Sequence, residues 1–366
     1  MTAAHSPGRA LSSRHAFGAA AGLLADRALG EPPPAFHPVV MFGRAMAGFE
    51  RRIWRDAHAA GALYTGAGVG LGWAAGFALG PSVPAGVVAT GLVVAGRALG
   101  EEARAIGERL IDDDLEGARR RLPALVGRDP EALDAKGVAR AVVESVAENT
   151  VDAVVAPACW AAAGGAAGAG FYRAVNTLDA MVGHRNERYR SFGWAAARLD
   201  DVANWIPARL TALLVAAVRP ARTREVLDAL VHPPAHPSPN AGVAEAAFAA
   251  ALGLRLGGDT VYAGRVDPRP TFGTGRPPEP TDIDAAVRLS RDVTLALAAL
   301  LATPAVMTAV VTAVRRRLTA PQTGVRLPGY GGKGTPVAAD GQRRGNRRSF
   351  TGIRRKRNAG SDEGPA

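Results

Sequence analysis

Residues 143–160 run Val143-Glu-Ser-Val-Ala-Glu-Asn-Thr-Val-Asp-Ala-Val-Val-Ala-Pro-Ala-Cys-Trp160, and the character of the chain changes midway. Three carboxylates, Glu144, Glu148 and Asp152, recur every four residues, which stacks them in one stripe on a helix. From Ala153 to Tyr172 no Asp, Glu, Lys or Arg follows. Like charges at this spacing repel. A chain that keeps them at the mouth of an apolar segment has to offset the repulsion with a cation, a cationic side chain or burial of protonated acids.

The segregation extends outward in both directions. The 366 residues are 48% hydrophobic and 21% charged, averages that look soluble. Yet Ala59–Gly96 is a run of 38 residues without a charge, and Val293–Val314 is another of 22. A bilayer core needs about 20 apolar residues per helix, so the first run is long enough for two spans and the second for one. Gly80-Pro-Ser-Val-Pro84 is a turn signal inside the first run and divides it into a hairpin, roughly 59–79 and 85–99. Gly68, Gly72, Gly76 and Gly80 form a ladder of small residues that lets a neighbouring helix approach closely. The apolar patch 16–25 is short and ends in Asp26 and Arg27, which is not a convincing signal peptide. A single cysteine, Cys159, excludes an internal disulfide.

Net charge is +11, and 13 Lys/Arg against 3 Asp/Glu lie from Arg315 onward. This Gly/Arg-rich tail lacks apolar periodicity and is expected to be disordered. Between nucleic-acid or lipid binding and a topology-setting cytoplasmic tail, the second reading is preferred, and no nucleic-acid partner is expected. Gly331-Gly-Lys-Gly-Thr335 is not a phosphate loop, because Leu327 and Gly334 occupy positions that need Gly and Ser/Thr. The expected organisation is a disordered segment 1–15, a membrane domain 16–320 and a disordered tail 321–366. Within the domain, Asp129-Pro-Glu131 marks a helix start, and the Gly/Pro-rich segment 257–280 is a candidate for short strands. Simple alternation of spans conflicts with the arginines on both sides of 153–172 and 205–218. Those segments are therefore expected to be re-entrant or buried in protein.

Four polar clusters punctuate the middle of the chain. They are Glu144/Glu148/Asn149/Asp152; Tyr172-Arg-Ala-Val-Asn-Thr-Leu-Asp-Ala-Met-Val-Gly183; Ala197-Arg-Leu-Asp-Asp-Val-Ala-Asn-Trp-Ile-Pro-Ala-Arg-Leu210; and His236-Pro-Ser-Pro-Asn-Ala-Gly-Val-Ala-Glu245. A solvated helix face explains any one of them. Four together, flanking apolar segments, are harder to dismiss: carboxylates with Asn suit Mg²⁺, and Arg suits phosphate or carboxylate. With Gly30-Glu-Pro-Pro33 and His37-Pro-Val39 followed by Gly43, these strings resemble the CobD/CbiB family of cobalamin biosynthesis over roughly residues 16–318. Glu31 departs from the Asp usual there, and the tail lies outside the resemblance.

The resemblance implies an all-α, polytopic integral membrane protein with helical cytoplasmic segments. It implies a ligase of the adenosylcobinamide-phosphate synthase type, joining adenosylcobyric acid to aminopropanol or its phosphate through an amide bond. ATP as co-substrate and Mg²⁺ follow from the same source. On that basis Glu148, Asp152 and Asp179 are the candidate metal ligands. Arg173 and Arg198 would hold phosphate or carboxylate, and Asn176 and His37 are further substrate-binding candidates. Asp200, Asp201 and Asn204 would bind metal or orient the amine. His236, with Ser238 and Asn240, would serve the substrate or act as base. His184 is a weaker candidate. Membrane lipids and other enzymes of the pathway are the expected partners, and the cell membrane, with the site facing the cytoplasm, is the expected location. The rival readings are a corrinoid permease and a membrane scaffold; polar residues gathered at segment ends rather than along a pore favour catalysis.

Overall fold

The computed structural model describes residues 7–319 apart from 34, 128, 185, 233–237, 259, 263–264 and 268–269, and for 7–11, 260–262, 265–267 and 304–319 it describes the backbone alone. The expectations for residues 1–6 and for the tail from 320 onward lie outside the described residues. The architecture is all-α. In chain order the helices are α1 (Pro7–Leu29), α2 (Pro38–Ile53), α3 (His58–Ala78), α4 (Val83–Val93), α5 (Gly96–Ile111), α6 (Leu115–Arg121), α7 (Ala135–Thr150), α8 (Ala156–Val182), α9 (Trp194–Val218), α10 (Thr223–Val231), α11 (Ala241–Leu252) and α12 (Asp282–Thr319). Among the described residues two short antiparallel strand pairs interrupt the helices: β1 (Leu256–Gly257) pairs with β4 (Thr271–Phe272), and β2 (Thr260–Tyr262) pairs with β3 (Arg265–Asp267). They fall largely within the segment expected to hold strands.

Three boundaries differ from the sequence reading. Residues 7–15, expected to be unstructured, are the first turns of α1. Asp129 caps only a single 3₁₀ turn, Pro130–Ala132; the long helix starts later, where Asp134 accepts from Gly137 N at 2.7 Å. The second arm of the expected hairpin, 85–99, breaks at Val94 and Ala95 into α4 and α5.

Among the described residues three stretches are long and apolar enough to cross a membrane, Val83–Ile111, Ala135–Val182 and Trp194–Val218. Two of them do not run straight. The α4 half of the first is 11 residues, about 16 Å, short of the roughly 30 Å hydrocarbon core. Inside α8, Gly165 adopts φ 62°, ψ −147°, a conformation open essentially to glycine alone. The chain reverses there. Trp160 and Phe171 stack across the two arms with ring centroids 4.8 Å apart, and a Cβ at Gly168 would lie 2.0 Å from the Trp160 carbonyl. Residues 153–172 thus lie in a helical hairpin rather than in one straight helix.

Two prolines decide how this hairpin is held. In apolar surroundings every backbone polar group needs a partner. Pro157 has no N–H, so it frees carbonyls one turn back, and the chain between α7 and α8 relaxes into a π turn, Val151–Val155. The Ala153 carbonyl accepts instead from Ala95 N (3.0 Å), at the break between α4 and α5, and the Asp152 carbonyl lies 3.2 Å from the Tyr172 hydroxyl. Pro207 inside α9 likewise frees the Ala203 carbonyl, which Trp160 Nε1 takes at 3.1 Å.

The glycine ladder of α3 packs on the returning arm of α8. A Cβ at Gly68 would reach Leu178 at 2.8 Å, at Gly72 Ala174 at 2.5 Å, and at Gly76 the Ala166 carbonyl at 2.1 Å. Gly80 belongs to the following turn instead and meets nothing within 4 Å. The opposite face of α3 exposes Leu63, Leu71, Trp73 and Phe77. The larger core joins α5–α7, the later part of α9, α10, α11 and the start of α12, with Ile106, Val142, Phe248 and Leu254 fully buried.

Candidate active site

The carboxylate stripe does not survive as a unit. Glu144 is buried, and its Oε1 accepts from Gly257 N at 2.7 Å, tying α7 to β1. Glu148 is exposed and Asp152 half-buried, and these two face a cavity of about 210 Å³. The π turn re-aims Asp152 away from the line that an uninterrupted helix would give it.

Around that cavity stand Glu148 and Asp152 from the end of α7 and the π turn, Asp179 and Gly183 from the end of α8, Asp200, Asp201 and Asn204 from α9, and Ser238 and Asn240 before α11. All four clusters singled out in the sequence therefore contribute. Asp152 lies in the field of Asp200, Glu148 and Asp179, with Arg173 as the nearby cation. Its Oδ2 accepts from Asn176 Nδ2 at 3.4 Å. The buried Tyr172 hydroxyl donates to Asn204 Oδ1 (2.8 Å), and Asn204 Nδ2 donates to Asp200 Oδ2 (3.0 Å). Asn204 is only 1% exposed, so this chain of bonds fixes Asp200 against α8. Asp200 Oδ1 is buried without a hydrogen-bond partner among the described residues. Gly183 closes the floor: a Cβ there would fall 1.8 Å from Asp179 Oδ1.

The loop before α11 is held by polar contacts. Asn240 Nδ2 donates to the Asp201 carbonyl (2.8 Å), and its Oδ1 accepts from Arg209 NH1 (2.8 Å). Ser238 Oγ accepts from Asn240 N and Ala241 N, both at 3.3 Å. Arg209 stacks over Trp205 at 4.6 Å and stands behind Asn240 rather than in the cavity wall; the sequence reading gave this member of the third string no role. Its signal was the Trp205/Arg209 pair, one turn apart and one turn beyond the Asp200–Asn204 cluster. Tyr172, likewise left out, links Asn204 to the π turn.

Other candidates stand elsewhere. His37 caps α2, its Nδ1 accepting from Val39 N at 3.2 Å, with Glu31 3.7 Å from its other nitrogen. Arg173 lines an apolar crevice of about 300 Å³ among α2, α3, α4 and α8, not the acidic cavity. The Arg198 side chain is 79% exposed, 4.0 Å from Asp201. His184 is exposed, stacked near Tyr189. His236 lies outside the described residues.

The sequence profile of the family described as CobD/Cbib protein matches residues 19–290. The chain belongs to the CobD/CbiB family. It is similar to the cobalamin biosynthesis protein CobD of Mycobacterium tuberculosis strain H37Rv, 48% identical over 288 residues that cover 76% of this chain and 92% of that one. It is 42% identical over 282 residues to the protein of the same name from Rhodobacter capsulatus, covering 73% and 90%. The Brucella anthropi protein of that name is 41% identical over 299 residues, covering 73% and 90%. No solved structure matches the chain. Every member of the acidic cavity lies within the stretch that matches the CobD/CbiB profile.

Does this cavity fit a magnesium ion? Its donors are all oxygens or carboxamides, the hard set that Mg²⁺ selects, and one carboxylate oxygen is orphaned. Among the described residues no three acidic, His or Cys side chains converge as a ready cage. Mg²⁺ does not require such a cage, since it is commonly held by one or two carboxylates, several waters and substrate phosphates.

Proposed function

We propose that this chain acts in cobalamin biosynthesis as a membrane ligase, forming an amide between adenosylcobyric acid and aminopropanol or its phosphate at the expense of ATP. The observation that carries this reading is the acidic cavity, where five carboxylates from three separate segments meet beside the asparagine-rich loop before α11. A carboxylate is a poor acyl donor, so its oxygen first attacks the terminal phosphorus of ATP, and ADP leaves. The amine then attacks the acyl carbon, and phosphate departs. A cavity of about 210 Å³ is below the range that encloses a drug-sized ligand, so it admits a corrinoid side chain while the macrocycle stays outside.

Each residue has a role in this reading. One or two of Glu148, Asp152 and Asp179 would hold Mg²⁺ with water and substrate phosphate, and the bound ion would offset the charge of the transferring phosphoryl group. Tyr172 and Asn204 orient Asp200. Asp200, Asp201 or His236 takes the proton that the amine loses. Asn240, held in place by Arg209, binds the acid or its phosphate, with Arg198 at the rim. The exposed apolar faces of α3 and α9 (Val202, Trp205, Ile206) support multi-pass insertion in the cell membrane, with the cavity towards the cytoplasm, where ATP is found. Membrane lipids and other cobalamin-pathway enzymes are the proposed partners.

The test is purified full-length protein in detergent, given adenosylcobyric acid, either amine, ATP and Mg²⁺, and read by mass spectrometry. Cobinamide or its phosphate formed with matched ADP release is expected. A folded preparation that makes neither product overturns the reading.

A further inference from the structure

A second polar cavity, of about 190 Å³, shares no lining residue with the acidic one. Its walls include Arg27, Arg97, Arg104 and Arg291, with Ser290 and Thr294. Glu101 is the acid among the lining residues, 2.7 Å from Arg97. Arg104 touches Asp284 (2.9 Å) and Arg291 touches Asp292 (3.0 Å), but neither of these acids lines the cavity. A guanidinium carries five N–H donors and one carboxylate engages at most a pair, so each arginine keeps donors for a further anion. Their side chains remain 40%, 42% and 41% exposed at Arg97, Arg104 and Arg291, so the cavity is reached from outside.

Its level in the fold is defined by charge. The apolar stretch of α1 ends at Asp26 and Arg27. The uncharged run through α4 ends at Arg97. The uncharged run of α12 begins at Val293, directly after Arg291 and Asp292. Asp26 ties two of these boundaries together by accepting from Arg97 N at 3.1 Å. Three helices thus change from apolar to charged around one basic cavity. Such a change of character is a feature of chain that meets a membrane surface, where basic pockets between helices hold anionic lipid headgroups.

We propose that this cavity is a phosphate-binding site at the membrane surface. Two carriers share that chemistry, an anionic phospholipid headgroup and soluble phosphate. The headgroup level rests on the membrane reading above; the phosphate chemistry does not, and neither depends on the ligase reaction.

The test uses the full-length protein in detergent. Native mass spectrometry compares retention of phosphatidylglycerol with phosphatidylcholine, and thermal unfolding is followed with and without inorganic phosphate. The variants are Arg27→Gln/Arg104→Gln, its conservative counterpart Arg27→Lys/Arg104→Lys, and a charge-matched control on α2, Arg51→Gln/Arg52→Gln. Circular dichroism reports folding of each. Selective retention of phosphatidylglycerol, weakened about tenfold or more in the glutamine pair, kept largely by the lysine pair and unchanged in the control, identifies a lipid site. Stabilisation by phosphate that follows the same order without lipid selectivity identifies a soluble carrier. No selectivity and no stabilisation, or equal losses in the control, overturns the proposal. Carbonate extraction of membranes from the producing cells checks insertion separately, so a failure of the membrane reading is distinguishable from a failure of the site.

Discussion

Glu144 and Asp152 share a stripe in the sequence but not a task. Glu144 is a buried acceptor for Gly257 N, while Asp152 faces the cavity. Glu144→Ala should therefore cost about 1–3 kcal/mol of stability, because the Gly257 N–H loses its charged partner, while turnover per folded molecule persists. Asp152→Asn should do the reverse, leaving the melting transition in detergent near that of the parent and lowering amide formation at least about a hundredfold. Turnover lost in Glu144→Ala and kept in Asp152→Asn would invert the assignment. Gly183 offers a second check at this scale. A methyl there collides with Asp179 Oδ1, so Gly183→Ala should depress turnover and raise the Mg²⁺ concentration needed for half-maximal rate. Parent-like Mg²⁺ dependence would remove Asp179 from the metal role. None of these distinctions could be read from spacing, because the partner of Glu144 is 113 residues away and a helical repeat says nothing about it.

At the scale of elements, the sequence showed where apolar segments lie but not how they bend. The charge-free runs and the glycine ladder were legible because each is a local pattern, and α3 with its close packing on α8 follows from them. The strings that supply the cavity's acids were legible because they are polar segments flanking apolar ones; the four-residue spacing did not group them correctly, since Glu144 ties to Gly257 and the π turn re-aims Asp152. The break at Ala95 was not legible. It depends on Ala95 N serving the Ala153 carbonyl that Pro157 leaves open, a contact between distant segments. Nor was the π turn, which exists only because Pro157 withholds its N–H within a buried helix. The hairpin rests on Gly165 at φ 62°, beside His15. Gly165→Ala should cost about 1–3 kcal/mol from backbone strain, and more if His15 cannot yield. Because the hairpin sets Tyr172 against Asn204, turnover should fall with it. Equal stability and turnover in Gly165→Ala would mean that the reversal is not held at this residue.

For the whole molecule, the decisive question is which ends share a side of the membrane. The helix α3 is not among the three stretches apolar enough to cross, but its 21 residues rise about 31 Å, a length comparable to the roughly 30 Å of a hydrocarbon core. At one end Gly61 meets the Phe192 carbonyl, in the loop that follows Gly183; near the other Gly76 meets Ala166, next to the reversal at Gly165. The loop 183–193 and the turn after Gly80 therefore lie at opposite ends of α3. That loop is anchored on the site side, since Arg188 reaches Glu50 of α2 at 3.0 Å and stacks over Trp54 at 4.8 Å. Glu148 and Asp179 line one cavity from either side of the 153–172 hairpin, so the chain is expected not to cross the bilayer between them. Single cysteines in a Cys159→Ala background make this testable at exposed positions. Glu131→Cys, before α7, and Glu187→Cys, after α8, should both resist a membrane-impermeant thiol reagent in intact cells and label in inverted vesicles. Pro81→Cys, in the turn between α3 and α4, should show the opposite pattern. Labelling of Glu187→Cys from outside while Glu131→Cys stays protected would place a crossing between the two halves of the cavity. The shared site would then fail as an assembly on one face, and a path through the membrane would be the better account of the same acids.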